Sequence, residues 1–306
     1  MTKSLNVWQP VGQDVVRDAL YGRLGNNGGF GRTVVAGATN AIAVLPKKNQ
    51  TNLYAGTVNG GIFSRILSND LKRNDRPQWQ WVSNPSNGYV GSQGIGQLAV
   101  SKNAKWLAVG QGNPSNYSAT STRSGGLAIG ALGAEGSVEW SESTRKVAQQ
   151  LKGHNIRSLD WLGSRTLLAT SLNPFGGSVI RASIGKKGGF EHVDVLSVGE
   201  SNLVSASQDE FSVFAGHQLG DGSRNSIMLA RNKDLKKRGN ANSSESWLNQ
   251  LRGPGYQSLL LEYRQEMATI RRVDVAKKLV NQRLVVFVGL SQKTDDDKDF
   301  VYRVDR

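Results

Sequence analysis

Residues 40–66 read NAIAVLPKKNQTNLYAGTVNGGIFSRI. Residues 41–45 are small and apolar and suit a short strand, which a turn separates from a second strand ending in Ala55, Gly56 and Thr57. The Gly60-Gly61 pair marks another turn, and residues 62–66 form a third strand. Trp79-Gln80-Trp81-Val82 supplies a fourth. Four short strands in succession, bounded by Gly, Asn and Pro and meeting no helix, describe one blade of a β-propeller.

The pattern recurs along the chain. A second blade reads IGQLAV (95–100), WLAVG (106–110), residues 127–131 and VEW (138–140). The third reads IRSLDWL, TLLATS, SVIRASI and FEHVDV between 155 and 196. The fourth reads LVSAS, FSVFAG and SIMLAR, with a last strand expected near Trp247. The fifth offers residues 269–275, 284–289 and 300–304, with residues 256–264 as an extra strand. First strands recur at blade-type spacing of ~40–60 residues. The expectation is therefore an all-β chain: one propeller domain over residues 1–306, with four-stranded antiparallel blades at about 40–83, 93–141, 155–196, 201–251 and 256–306. Residues 6–11 (NVWQPV) stand outside any blade, and pairing them with the three-stranded fifth blade would close the ring and remove its edges. A truncated piece of a larger propeller is the rival arrangement. Residues 22–37, rich in Gly and Asn, read as a loop.

First strands rich in Gly, Ala and Ser suit a crowded ring centre. Second strands such as LAVG, LLAT and VFVG are nearly continuous apolar runs, expected to be buried on both faces. Trp79, Trp81, Trp140 and Trp247 are expected to pack between blades.

Composition narrows the function classes. The chain has no cysteine, which excludes disulfides, thiolate metal sites and a Cys nucleophile. No apolar run approaches the ~18 residues of a membrane helix. Residues 1–16 lack the apolar core of a secretory signal, so the reading is cytoplasmic by default, with leaderless export open. The formal charge is +14. Between 231 and 283, twelve Lys and Arg against five Asp and Glu give 12 − 5 = +7, half of that total. Such a sector favours anionic partners or serves solubility. It holds few aromatic residues and no reader motif, which argues against nucleic acid.

Two phrases, AIAVLPKKNQTNLYAGTVNGGIF and GIGQLAVSKNAKWLAVGQGNPSN, resemble the repeat of the sialidase-like, or Asp-box, propeller superfamily. The resemblance covers about the first half of the chain and implies a propeller; the Asp-box itself is degenerate, with Ser68-Asn69-Asp70 reaching Trp79 only across an insert. Gly153-His154 followed by Leu159-Asp160-Trp161 is similar to a single WD40 repeat. The Arg-Ile-Pro signature of sialidases is absent. Xyloglucan-cleaving relatives carry a catalytic aspartate three residues before the second glycine of their Gly-Gly turn, and here that position is Val58.

Other chemistry is thinly supported. A hydrolytic pair needs two acids across the scissile bond, and Asp160, Glu139 and Asp194 are the strand acids available. His154, His192 and His217 lie in different blades without ligand spacing, so no metal or cofactor is expected. The run 295–299, DDDKD, lacks the glycine and glutamate of an EF-hand loop. The Gly-rich segments are followed by no helix that would cradle phosphate. The residues favour a noncatalytic binding or scaffold propeller that meets a protein or carbohydrate partner, an anionic one included, through loops on one face. Candidate contacts are Asn113, Asn116, Tyr117 and Arg123 in the long loop of blade two, and Lys236, Lys237 and Arg238 in a basic hairpin. A glycoside hydrolase with a diverged site and a nonspecific polyanion binder are the alternatives.

Overall fold

The computed structural model describes residues 16–17, 34–35, 39–58, 60–68, 79–112, 125–173, 176–198, 200–207, 211–218, 225–232, 257–261, 268–275, 285–292 and 299–305. The chain is a β-propeller of antiparallel sheets, each a meander of neighbouring strands. The first sheet comprises β3 (Thr39–Pro46), β4 (Gln50–Thr57), β5 (Ile62–Ser68) and β6 (Gln80–Trp81). The second comprises β7 (Ile95–Val100), β8 (Trp106–Gln111), β9 (Gly126–Leu132) and β10 (Val138–Trp140). The third comprises β11 (Asn155–Trp161), β12 (Thr166–Asn173), β13 (Gly176–Ile184) and β14 (Phe190–Val198). The fourth comprises β15 (Glu200–Ser207), β16 (Phe211–Gln218), β17 (Asn225–Arg231) and β18 (Gln257–Leu261). The fifth has three described strands, β19 (Ala268–Val275), β20 (Val285–Gln292) and β21 (Asp299–Asp305). A short pair, β1 (Val16–Arg17) and β2 (Val34–Val35), precedes them.

Strand boundaries expected for the first three blades agree with these to within a few residues. The fourth blade differs. Its last strand is β18, which pairs from Leu229↔Gln257 to Asn225↔Leu261, rather than a segment around Trp247. The physical reason is apolar content: QSLLL can bury against a neighbouring sheet, whereas the polar residues 239–250 cannot. Residues 257–261 thus belong to the fourth sheet, not the fifth. Val34 and Val35 form a strand inside what reads as a loop. The ring-closing segment 6–11 lies outside the described residues, as does Trp247.

The first strands pack in succession, β3 on β7, β7 on β11, β11 on β15 and β15 on β19. Each sheet thereby turns one face forward, towards its successor, and the other back. The forward face of the first sheet (Ala41, Ala43, Leu45, Tyr54, Ile62) forms one core with the rear face of the second (Ile95, Leu98, Leu107, Val109, Trp140). Ala108, Leu127 and Ile129 on the forward face of the second meet Ile156, Leu159, Leu167, Ala169 and Ile180 of the third. Burying one such leucine or isoleucine fully contributes about 1.5–3 kcal/mol before the entropy of ordering is counted. As expected, Leu107, Ala108 and Val109, and Leu167, Leu168 and Ala169, are buried on both faces. In β4, however, burial alternates, because no described residues cover the rear face of the first sheet.

Between the second and third sheets the chain makes a helix absent from the expected meander, α1 (Ser143–Gln150). Its sequence STRKVAQQ is too polar to announce itself; Val147 and the following Leu151, four residues apart, fill one stripe against β9 and β14. Trp140 packs between blades as expected, its Nε1 donating to the Val82 carbonyl at 2.8 Å and its ring meeting Tyr89 edge-on at 4.7 Å. Trp81 does not: it is 44% exposed on the uncovered rear face. Trp161 takes an inter-blade role instead, donating from Nε1 to the Ala99 carbonyl at 3.0 Å.

Candidate functional site

Every first strand carries a β-bulge near its start. Register shifts fall between Thr39 and Ala41, Ile95 and Gln97, Ile156 and Ser158, Ser201 and Val204, and Ile270 and Arg272. A bulge inserts an unpaired residue and re-aims its side chain, and here the insertion recurs near the start of each first strand. The inserted residues are Asn40, Gly96, Arg157 and Arg271, and in the fourth sheet Asn202 and Leu203 together face Gly216. Two of these show how the position is used. Asn40 Nδ2 donates to the Ile95 carbonyl of the next first strand at 3.1 Å. A Cβ on Gly96 would run into the Ile156 carbonyl, so only glycine lets β7 and β11 come this close. The bulges thus define a mouth where the first strands begin. Burial pulls the Arg157 guanidinium below the usual arginine value.

Around this mouth the connections are fixed by hydrogen bonds. In the Thr57–Gly61 turn, Gly60 N donates to Thr57 Oγ1 at 2.9 Å and Thr57 Oγ1 donates to the Gly61 carbonyl at 3.1 Å. Gly61 sits at φ +82, a conformation that excludes most side chains. Ser83 is the hub: its Oγ accepts from Ile62 N at 2.8 Å and Trp81 Nε1 at 2.9 Å, and donates to Gln93 Oε1 at 2.9 Å. Gln111, fully buried, donates from Nε2 to the Tyr89 hydroxyl at 2.8 Å, and burial raises that phenol. His154 lies within hydrogen-bond distance of Ser171 Oγ through Nδ1, at 2.9 Å, and burial pulls its imidazole below the ordinary value. Val58 lies in the Thr57–Gly61 turn and offers no titratable group.

The candidate contacts from sequence, Asn113, Asn116, Tyr117, Arg123, Lys236, Lys237 and Arg238, all lie outside the described residues. The strands flanking them still constrain one expectation. β8 ends and β9 begins at the mouth, whereas β17 reaches Arg231 at the opposite end of its sheet. The strands that lead into residues 113–123 and 236–238 thus end at opposite ends of their sheets.

The strand acids do not form an opposed pair. Asp194 on β14 is held by Arg181, with Nε at 3.0 Å and Nη2 at 2.7 Å from one carboxylate oxygen. Asp160 shares that row through Leu168 and Arg181, three strand spacings away, or about 14 Å at ~4.8 Å each. That exceeds the ~5–9.5 Å of glycosidase carboxylates. Glu139 stands exposed on β10 of another sheet. Asp274, overlooked in the sequence, occupies the same register position on β19 as Asp160 on β11, two residues beyond the bulge partner. Among the described residues no group of three His, Asp or Glu side chains could hold a metal ion. No described helix is long and apolar enough to cross a membrane.

No protein-family model matches the chain, and no curated protein does. Solved structures do. A puromycin-hydrolysing peptidase of Mycobacterium tuberculosis matches with TM-score 0.51 at 12% identity, over 86% of this chain and 34% of that one. An α-L-arabinofuranosidase from Podospora anserina matches with TM-score 0.42 at 10% identity, over 88% of this chain and 91% of that one. Another from Lactobacillus brevis matches with TM-score 0.42 at 7% identity, over 87% and 89%. The chain spans about a third of the peptidase's length. What is shared at such identities is the propeller fold.

Proposed function

We propose that this chain is a noncatalytic binding propeller, diverged within the Asp-box superfamily, that meets a carbohydrate partner at the mouth ringed by the five bulges. The observation that carries this reading is the composition of that ring. Asparagine amides and arginine guanidinium groups are planar, multidentate donors suited to sugar hydroxyls and carboxylates, and neither can serve as a general acid or base at neutral pH. Val58 and the separation of Asp160, Glu139 and Asp194 support the noncatalytic part. Two arginines on the ring favour acidic over neutral glycans.

The test is an array of neutral and acidic glycans probed with the purified chain, run beside a turnover assay on the same set. Capture without turnover, weakened by Arg157→Gln, supports the reading. Capture of proteins alone, or turnover, overturns it. The second reading, a glycoside hydrolase with a diverged site, is favoured by one observation, the matched register of Asp160 and Asp274. It predicts turnover that Asp160→Asn and Asp274→Asn each abolish.

A further inference from the structure

The described large apolar residues that stand exposed all belong to one sheet face. Ile42 is 66% exposed, Val44 52% and Trp81 44%, and all lie on the rear of the first sheet. Ile42, Ala55, Phe63 and Trp81 form one cross-strand row there, with Val44 and Leu53 beside it. Counting from the bulges, Ile42 corresponds to Leu98 and Leu159, and Val44 to Val100 and Trp161. Leu98 is 4% exposed, Leu159 2% and Trp161 6%, each buried against the preceding sheet. The first sheet shows the same apolar rear without a cover among the described residues.

A second repeated contact says what cover fits. In the second strand of the first sheet, Gly56 leaves a socket that the Ile95 side chain fills; a Cβ there would lie 2.9 Å from Ile95 Cβ. In the next sheet Gly110 receives Ile156 the same way, at 2.8 Å from its Cβ. Both knobs sit just before their bulge, and both glycines pair with the residue just after theirs. The third sheet has Thr170 at the socket position, and the fourth offers the smaller Ser201 at the knob position. In the fourth sheet the residue paired with the one just after the bulge is Ala215, where β19 offers Ile270 and β16 packs on β19.

The series leaves one of each over. Gly289 on β20 pairs with Arg272 just after the last bulge, as Gly56 and Gly110 pair with theirs, and Thr39 stands just before the first bulge. Thr39 is exposed. We infer that Gly289 is the socket for Thr39 of the same chain, so that the fifth sheet seats on the apolar rear of the first and shuts the ring. Closure would set Arg271 next to Asn40, completing the mouth. This inference stands independently of what the mouth binds.

The absence of cysteine makes the test direct. Single cysteines at Ile42 and Val44 are labelled with a maleimide in the folded protein, with Ala43→Cys as buried and Glu135→Cys as exposed reference. Closure predicts that I42C and V44C react on the order of 100-fold more slowly than E135C, since a seated sheet must open first. It also predicts that the Thr39→Cys/Gly289→Cys pair oxidises to a disulfide within one chain, because the made pairs place Cβ atoms within ~1 Å of disulfide spacing. Labelling of I42C as fast as E135C overturns the inference. A disulfide that instead joins the two introduced cysteines across two chains, with protection that fades on dilution, overturns it in favour of a second copy on this face.

Discussion

Gly110→Ala tests the socket that joins the second and third sheets. In an ordinary strand, replacing glycine with alanine stabilises by about 0.5–1 kcal/mol, because glycine loses more freedom on folding. Here the added methyl would lie 2.8 Å from Ile156 Cβ and closer still to Ile156 Cγ2. Both partners belong to paired strands and Ile156 is fully buried, so relief requires backbone movement. Overpacking of this kind costs about 1–3 kcal/mol. The net expectation is a loss of about 1–2 kcal/mol. Ile156→Ala alone should cost about 2–5 kcal/mol through the cavity it opens. The double variant should cost at least about 1 kcal/mol less than the sum, because removing Cγ2 makes room for the new methyl. Urea titration followed by tryptophan fluorescence reads all three, with Trp140 and Trp161 reporting on the two inter-blade cores. A neutral or stabilising G110A, or strict additivity in the double variant, would refute the knob-and-socket account and with it the reasoning for Gly289.

Trp140→Phe should cost about 1–3 kcal/mol, since it strands the buried Val82 carbonyl that now accepts from Nε1; the same titration measures it. Ala104→Gly should stabilise by about 0.5–1 kcal/mol in thermal unfolding, because Ala104 sits at φ +57, where an L-residue is strained. The native state holds His154 below its unfolded value of 6.5, so the unfolded chain takes up the proton first and stability falls as pH drops below about 6.5; His154→Gln should flatten that decline and change nothing above it, as read from urea midpoints across pH. Arg157→Gln should weaken capture of an acidic glycan by about tenfold to a hundredfold, the equivalent of one or two charge-assisted hydrogen bonds, in a calorimetric titration.

Much of the fold is legible in residues 40–66 because every strand there announces itself twice, by alternating burial and by a glycine or asparagine turn. The same signals place β7, β8, β11 and β12 almost to the residue. Legibility fails where chemistry and position part company. The polar helix α1 is held by only Val147 and Leu151, too few to stand out in so short a stretch. β18 has a clear apolar run, but pairing decides which sheet receives it, and β17 lies across a long polar insertion. Trp81 looks like a core tryptophan by spacing; its exposure reflects an uncovered sheet face, a property of the neighbouring sheet rather than of Trp81.

The candidate site escaped the sequence for a related reason. Function was sought in long loops and charge runs, where composition is conspicuous, yet the bulge residues sit inside first strands that read as ordinary. Arg157 falls between Ile156 and Ser158 in a run that looks like a buried strand, where an arginine should be a defect. Pairing resolves the contradiction: the bulge takes Arg157 out of the ladder and leaves the alternation on either side intact. Asn40 and Arg271 follow by the same register. The ring thus keeps an apolar framework while gathering its polar donors at one end. The Gly56 and Gly110 sockets carry the packing between neighbouring sheets, so variation at the bulges leaves that packing intact. Gly96 shows the limit of that freedom, since its missing side chain is what brings β7 against the Ile156 carbonyl.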